Sequence, residues 1–361
     1  MRGRTRFAEG RWEVREGARW RALDPGDVSA FKSERELERE AERLAAEIGR
    51  DEHTQRVALA DWMVREGLAE EALAALDRVL AAEPDHDAAL ALIARAPFRL
   101  PYLGDASADE AGVRGRLFAL AAQTSSPTRR ELAVNRLRAL PDREALREAL
   151  RGELVSLQPG RRSIAALALR RIAPGQEVRE LLLRAALDRS SQVRREAALA
   201  LRATGEPGVV VPLVRALGSE SGAVRINAAE SLGHAGFEAA VPALVHHMAD
   251  MAGAAQGGGG PRPPGGHVSI GSQVAYVSDF DVEIAQGASI ADPIVNVVTS
   301  GVVLEARSYG MQEYTYVTEL RTVRRSLKLL TGHDAGNKAE KWQAWLEQNA
   351  SRSTPDTPGG D

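Results

Sequence analysis

The sequence predicts a mainly α-helical solenoid of stacked helical hairpins, with a small N-terminal β-hairpin and an antiparallel three-stranded β-appendage inserted near the C-terminus. Three observations predict this class. Arginine, alanine and leucine recur in step every 31 or 32 residues in the middle of the chain. Aromatic residues make up 4%, and alanine and leucine dominate the apolar residues, which suits helices packed through small side chains. At 361 residues, the chain is long for one compact core but fits an array that grows in one direction.

Residues 1–30 predict the small β-hairpin. Apolar Trp12 and Val14 alternate with charged neighbours, and the alternation returns at Trp20 after a glycine. The sequence Asp-Pro-Gly at 24–26 is typical of a tight turn and is expected to close the segment.

Helical periodicity begins after Ser33, which forms a capping-box pattern with Glu36. Beyond this first helix, small and apolar residues have the spacing of two antiparallel helices with a glycine turn and a proline stop: Leu59, Ala60, Gly67, Ala72, Leu76 and Pro84. Segment 53–86 resembles one tetratricopeptide unit. The resemblance implies helical hairpins over 31–96. Because one unit does not form that family's peptide-binding groove, the resemblance does not imply peptide binding.

Region 97–252 contains a pattern of four copies in register. The recurring positions are Arg130, Arg162, Arg194 and Arg225, then Ala133, Ala165, Ala197 and Ala228, then Leu137, Leu169, Leu201 and Leu232. This region resembles the HEAT repeats, in the short bacterial form also found in phycobilisome-lyase-type proteins. The resemblance implies helical hairpins that stack through the alanines, each burying the apolar face that the previous one leaves open.

The recurring arginine is implied by the resemblance to lie near the start of the first helix of each copy, in a hydrogen-bonded ladder with an aspartate six residues earlier. Asp188 has this spacing to Arg194, whereas Ser219 stands at the matching position before Arg225. The implied ladder is therefore partial. Two roles stay open for Arg194 and Arg225, one in holding the repeats together and one in binding a partner.

The array is interrupted after residue 252. Residues 253–266 are rich in glycine and proline and predict a flexible linker. The β-appendage is expected at 267–312, where a strand at 272–286 is followed by two strands around a tight turn at 299–301. Helical patterns return in 313–349 and predict two capping helices, and 350–361 predicts a disordered tail.

Three carboxylates, Asp279, Asp281 and Glu283, alternate with apolar residues along the first strand of the appendage. Period-two spacing places them on one face. Calcium prefers such ligands but usually on a loop that wraps around the ion. The alternatives are a solvated face that protects the strand from aggregation and a docking site for a basic partner.

Catalytic and metal-binding patterns are missing from the sequence. The repeats lack the His-Glu pairs that HEAT-type hydroxylases use for two irons, and no phosphate-binding loop, nucleophile elbow or His-Glu-x-x-His pattern occurs. His246 and His247 are adjacent, so a helix points them about 100° apart, which argues against a shared metal site and predicts one of them on the surface. The sequence therefore predicts a protein that is not an enzyme and has no cofactor.

The function expected from these features is a protein–protein interaction scaffold whose repeat surface and β-appendage bind another protein, with Asp279, Asp281, Glu283, Arg194 and Arg225 as candidate contacts. The alternative is nucleic-acid binding, because residues 109–250 contain 21 arginines against 16 acidic residues. No signal peptide and no run of 18 apolar residues is visible, so we expect a cytoplasmic protein with no membrane partner.

Overall fold

The computed structural model describes residues 5–8, 11–16, 19–24, 32–100, 110–256, 268–271, 274–285, 288–298, 303–306 and 311–353. For the four strands between 268 and 306 it describes the backbone pairing. The chain divides into two compact units, Met1–Leu146 and Arg147–Asp361.

The first unit begins with a three-stranded antiparallel sheet. Its strands are β1 (Thr5–Ala8), β2 (Arg11–Glu16) and β3 (Arg19–Ala22), in the order β1-β2-β3. The predicted hairpin is confirmed as β2 and β3, which pair with Arg15 opposite Trp20. Strand β1 was not predicted, because four residues are too short for alternation to stand out. The predicted turn at 24–26 falls mostly outside the described residues.

Six helices follow in the first unit: α1 (Glu34–Glu47), α2 (His53–Glu66), α3 (Ala69–Ala82), α4 (Asp87–Arg95), α5 (Glu110–Gln123) and α6 (Pro127–Arg138). The capping box of α1 is confirmed, because Ser33 N donates to Glu36 Oε2 at 2.8 Å and Ser33 Oγ accepts from Glu36 N. Gly67 has φ 82° and turns the chain between α2 and α3. Ala60 and Ala72 are fully buried, which lets these two helices pack closely.

The second unit continues the helices in tandem. They are α7 (Arg143–Leu154), which begins at the end of the first unit, α8 (Pro159–Ile172), α9 (Val178–Leu187), α10 (Ser191–Arg202), α11 (Val211–Ala216), α12 (Gly222–Ala235), α13 (Val241–Gln256), α14 (Met311–Thr331) and α15 (Ala339–Ser353). Within this unit α8 packs against α10, α10 against α12, and α12 against α14. Helix α13 extends four residues into the predicted linker, and α15 extends past residue 349 to Ser353.

The residues that recur in register form the core of the stack. All four register alanines and three of the four register leucines have no exposed surface, and Leu169 is 1% exposed. Alanine is required there because a larger side chain would push neighbouring repeats apart. The sequence repeat is therefore a packing rule, as predicted.

A four-stranded sheet lies between α13 and α14. Its strands are β4 (Val268–Gly271), β5 (Val274–Ala285), β6 (Ala288–Val298) and β7 (Val303–Ala306), in the order β4-β7-β5-β6. The predicted appendage had three antiparallel strands, and the structure differs from it. Strands β5 and β6 are the hairpin neighbours, with Ala285 opposite Ala288, so β7 lies on the other side of β5 and pairs with it in parallel. The predicted turn at 299–301 lies outside the described residues.

Helices α12 and α14 are in close contact at Gly233. A Cβ atom added there would lie 2.7 Å from Ser326 Oγ and 2.9 Å from Ser326 Cα. Ser326 itself is buried, so it has little room to move. Glycine at 233 therefore fixes the distance between the last repeat and the helix that follows the inserted sheet.

We predict that Gly233→Ala destabilises the protein. Alanine normally stabilises a helix relative to glycine by about 1 kcal/mol, but here overpacking against Ser326 is expected to cost about 2 kcal/mol. Gly152→Ala in α7 is the matched control, since a Cβ atom there meets nothing within 4 Å. Urea unfolding should show a lower midpoint for Gly233→Ala and an equal or higher one for Gly152→Ala. Equal shifts for both variants would contradict the close approach.

Candidate functional site

The recurring arginines hold the loop that precedes their own helix. Nη1 of Arg162, Arg194 and Arg225 donates to the two carbonyl oxygens six and five residues earlier. These contacts are Arg162 to Ser156 at 2.7 Å and Leu157 at 3.1 Å, Arg194 to Asp188 at 2.9 Å and Arg189 at 3.1 Å, and Arg225 to Ser219 at 2.9 Å and Glu220 at 3.1 Å. Three copies share one geometry, so this role explains why the arginine recurs.

The remaining guanidinium nitrogens bind a carboxylate further along the stack. Arg162 Nε and Nη2 donate to the Asp188 carboxylate at 2.6 and 2.8 Å, and Arg225 binds the Glu319 carboxylate in the same way at 2.7 and 2.9 Å. Arg194 Nε donates to Glu230 at 2.7 Å. Consecutive repeats are therefore linked by an arginine on one and a carboxylate on the next.

The ladder differs from the one implied by the resemblance. The Asp188 carboxylate binds Arg162 of the preceding repeat, while Arg194 takes only the Asp188 carbonyl oxygen. Burial raises the pKa of Asp188, but hydrogen bonds from Arg162 and the Ser190 amide outweigh it and leave the pKa below its ordinary value. Ser219 does not break the ladder, because Glu230 supplies the carboxylate for Arg194 of the preceding repeat.

Glu319 joins three helices of the second unit. It lies on α14, is 1% exposed, and accepts from Arg225 on α12 and from His247 Nε2 on α13 at 2.7 Å. Burial raises the pKa of Glu319, but the hydrogen bonds from His247 and Arg225 outweigh it and hold the pKa below its ordinary value. The hydrogen bond to Glu319 also raises the pKa of Arg225.

Sequence reasoning missed Glu319 and the role of His247. It did predict that the two adjacent histidines diverge, and the structure confirms this: the His246 side chain is 79% exposed and lies 3.5 Å from Asp250, whereas His247 is buried. In the sequence, the pair of Glu319 and His247 was indicated only by a polar residue on the apolar stripe of α14 and of α13. This signal is weak without the fold.

The candidate acidic residues lie on β5. The backbone register places Asp279 opposite Ile294, Asp281 opposite Asp292 and Glu283 opposite Ile290 on β6. The register shifts between Val277 and Asp279, so the alternation predicted for the whole strand is interrupted there by a β-bulge. Asp292, which the sequence reasoning did not single out, thus adds a fourth acidic residue to this hairpin.

The structure places the candidate residues in two groups. Arg194 on α10 and Arg225 on α12 belong to successive repeats and take part in the ladder, whereas Asp279, Asp281 and Glu283 share one strand. No cluster of three or more histidine, aspartate or glutamate residues suited to a metal ion occurs among the described residues. None of the helices described here has the length and apolar character needed to span a bilayer.

We predict that Glu319→Gln weakens the second unit. Glutamine leaves the Arg225 guanidinium without a counter-charge at a mostly buried position, which is expected to cost about 2–3 kcal/mol of unfolding free energy. Because the folded pKa of Glu319 is lowered, its contribution is fully present above the ordinary value of 4.5 and is lost as the pH falls through the lowered pKa.

Denaturant unfolding between neutral and acid pH tests this prediction. Wild type should lose stability on acidification, and Glu319→Gln should be less stable at neutral pH with a flatter pH profile. Glu148→Gln is the control, because its ion pair with Arg151 is exposed. A Glu319→Gln variant with wild-type stability and pH profile would contradict the role assigned to this carboxylate.

Comparison with known proteins finds a match to a repeat family. Residues 179–254 match the family model for HEAT repeats, and no curated protein matches the chain. The matched residues run from α9 to α13 and include Arg194, Arg225 and His247. Together with the tandem packing of the helices and the burial of the register alanines, this match supports a HEAT-repeat architecture for the middle of the chain.

Proposed function

We propose that this chain is a non-enzymatic scaffold that binds another protein through its repeat surface and the inserted sheet. HEAT-type arrays commonly serve this purpose, because stacked hairpins present an extended surface rather than an enclosed pocket. The observation that carries the proposal is the sheet inserted between α13 and α14, two helices that belong to one continuous stack.

The inserted sheet is not required to complete the stack. Helix α14 packs directly on α12, and Glu319 supplies a carboxylate for Arg225, as Glu230 does for Arg194. The stack therefore continues across the insertion as if the sheet were absent. Insertions of this kind at a repeat junction usually carry the specific function of a repeat protein.

The charge of the hairpin indicates the chemistry of its partner. Residues 274–298 contain Asp279, Asp281, Glu283 and Asp292 but no lysine or arginine. Like charges opposite one another, as Asp281 and Asp292 are in the register, destabilise a sheet unless a partner neutralises them. We therefore assign these acidic residues to the binding of a basic surface on the partner.

The proposal includes three finer assignments. Segment 53–86 is a tetratricopeptide-like unit, supported by the Gly67 turn and the close packing of α2 on α3. The repeats are of the short phycobilisome-lyase type, supported by their spacing of 31 or 32 residues. The protein acts in the cytoplasm, supported by the sequence patterns alone.

Nucleic-acid binding through the arginines of the repeats is the alternative. Arg162, Arg194 and Arg225 would have to leave their carboxylate partners to bind phosphate, so the alternative depends on the other arginines of the array. It is recognised by a steep loss of binding as the salt concentration rises.

We predict that affinity capture with the full chain recovers a protein from lysate with and without nuclease treatment. A version lacking 267–310 should lose this protein, and Asp279→Asn/Asp281→Asn/Glu283→Gln in the full chain should bind it several-fold more weakly. The control variant Glu206→Gln/Glu220→Gln/Glu238→Gln removes three exposed carboxylates from the repeats and should bind normally. Recovery of nucleic acid by both versions without nuclease, and of nothing after nuclease, would overturn the proposal.

A further inference from the structure

Four apolar side chains are exposed in the segment from the end of α7 to the end of α9. Leu157, in the loop between α7 and α8, is 97% exposed, and Val155 in the same loop is 65% exposed. Leu183 and Leu187, one helical turn apart on α9, are 41% and 54% exposed. We name these four residues the apolar ridge. Single exposed leucines are ordinary on protein surfaces, whereas grouped ones mark interaction sites.

The two halves of the ridge are held together by Arg162. Its guanidinium donates to the carbonyl oxygen of Leu157 at 3.1 Å and, on its other edge, to the carboxylate of Asp188 at 2.6 and 2.8 Å. Leu187 is the neighbour of Asp188 in the chain. A planar group therefore fixes the Leu157 loop beside the end of α9, and the ridge is a preformed surface.

The stack does not require a leucine at position 157. Five residues before each recurring arginine the chain has Ser125, Leu157, Arg189 and Glu220. The arginine uses only the backbone carbonyl at this position, and the Arg189 and Glu220 carbonyls make the same hydrogen bond at 3.1 Å. A polar side chain therefore satisfies the repeat, and the exposed leucine is a departure from it.

The ridge is bordered by an excess of positive charge. The charged residues that flank the four apolar positions are Arg161, Arg162, Arg179, Arg184 and Arg189 against Glu153, Glu180 and Asp188. Glu153 is occupied by Arg161 at 2.6 Å, and Asp188 is occupied by Arg162 and Arg184. Arg189 is exposed and has no ion pair among the described residues. The border therefore attracts an acidic partner.

From this geometry we infer that the apolar ridge is a docking site for an acidic amphipathic helix of a partner protein. The partner's leucine-type side chains pack between Leu157 and the one-turn pair on α9, and its carboxylates pair with Arg189 and the neighbouring guanidinium groups. This inference rests on the proposed scaffold function and adds a second contact surface to it, distinct from the acidic hairpin.

The described helices of a second copy do not supply the required helix. The most acidic amphipathic helix among them is α1, whose apolar residues pack into the core of the first unit: Ala41 is buried there, and Leu37 and Leu44 pack against the same cluster. The occupant is therefore a segment of another protein.

Selection from a random library of displayed peptides about 15 residues long, enough for four helical turns, tests the inference. The library is panned on the full chain and counter-selected on Leu157→Ser/Leu187→Ser. Enriched peptides should carry net negative charge and apolar residues at i, i+3 and i+4. Each peptide is then synthesised with a fluorophore, and its dissociation constant is measured by anisotropy at two salt concentrations.

We expect Leu157→Ser/Leu187→Ser to weaken binding of these peptides at least about tenfold, as for residues at the centre of an interface. Arg189→Glu should weaken it several-fold and reduce its salt dependence. Leu329→Ser is the matched control, because Leu329 is 56% exposed on α14 and lies outside the ridge, so this variant should bind normally. Because the substituted side chains are exposed, all variants should keep the wild-type circular dichroism spectrum and melting temperature.

Three results would overturn the inference: enrichment of basic peptides, no enrichment, or peptides that bind the serine variant and wild type equally. A fourth such result could come from sedimentation equilibrium. If wild type is a dimer and Leu157→Ser/Leu187→Ser is a monomer, the ridge is an interface with a second copy. Failure here is distinguishable from failure of the scaffold proposal. If a protein is captured through 267–310 and the peptide selection is negative, only the inference about the ridge is overturned. If nucleic acid alone is captured, the scaffold proposal is overturned.

Discussion

The arginine that recurs in each repeat is the constraint on which the rest of the second unit depends. One guanidinium group satisfies two loop carbonyl oxygens and a carboxylate of the following repeat at the same time, which requires several donors in one rigid plane. Lysine offers a single flexible ammonium group and does not span these positions. The carboxylates of Asp188 and Glu319 are almost completely buried, so they are tolerated only because the arginines neutralise them.

This linkage explains how the stack accepts a large insertion. Each arginine needs a carboxylate at a given position in space, but the number of residues between the two can vary. Glu230 lies 36 residues after Arg194, and Glu319 lies 94 residues after Arg225. Gly233 allows α14 to approach α12 closely, because a Cβ atom there would overlap Ser326. These two contacts join α14 to α12 directly, without using the sheet between α13 and α14.

Sequence patterns predicted the features that depend on local spacing. The capping box at Ser33, the burial of the register alanines and the divergence of His246 and His247 follow from helical periodicity alone. Local spacing could not predict the pairings between distant segments. Alternation predicted β5 but not that β7 pairs with it in parallel, and nothing near Arg225 indicated Glu319. The exposure of Leu157 was also hidden, because an apolar residue beside a helix is usually expected in the core.

Departures from the repeat carry more functional information than the repeat itself. Positions that recur, such as Arg194 and Ala197, are explained by stacking, so their presence says little about partners. Leu157 and the acidic residues on β5 have no such explanation. An exposed leucine is not stabilised by burial, and like charges at paired positions of a sheet are unfavourable, so each feature carries a cost in the isolated chain. Both costs are offset when a partner covers the leucine or neutralises the carboxylates, and this makes binding the simplest physical account of why these residues are there.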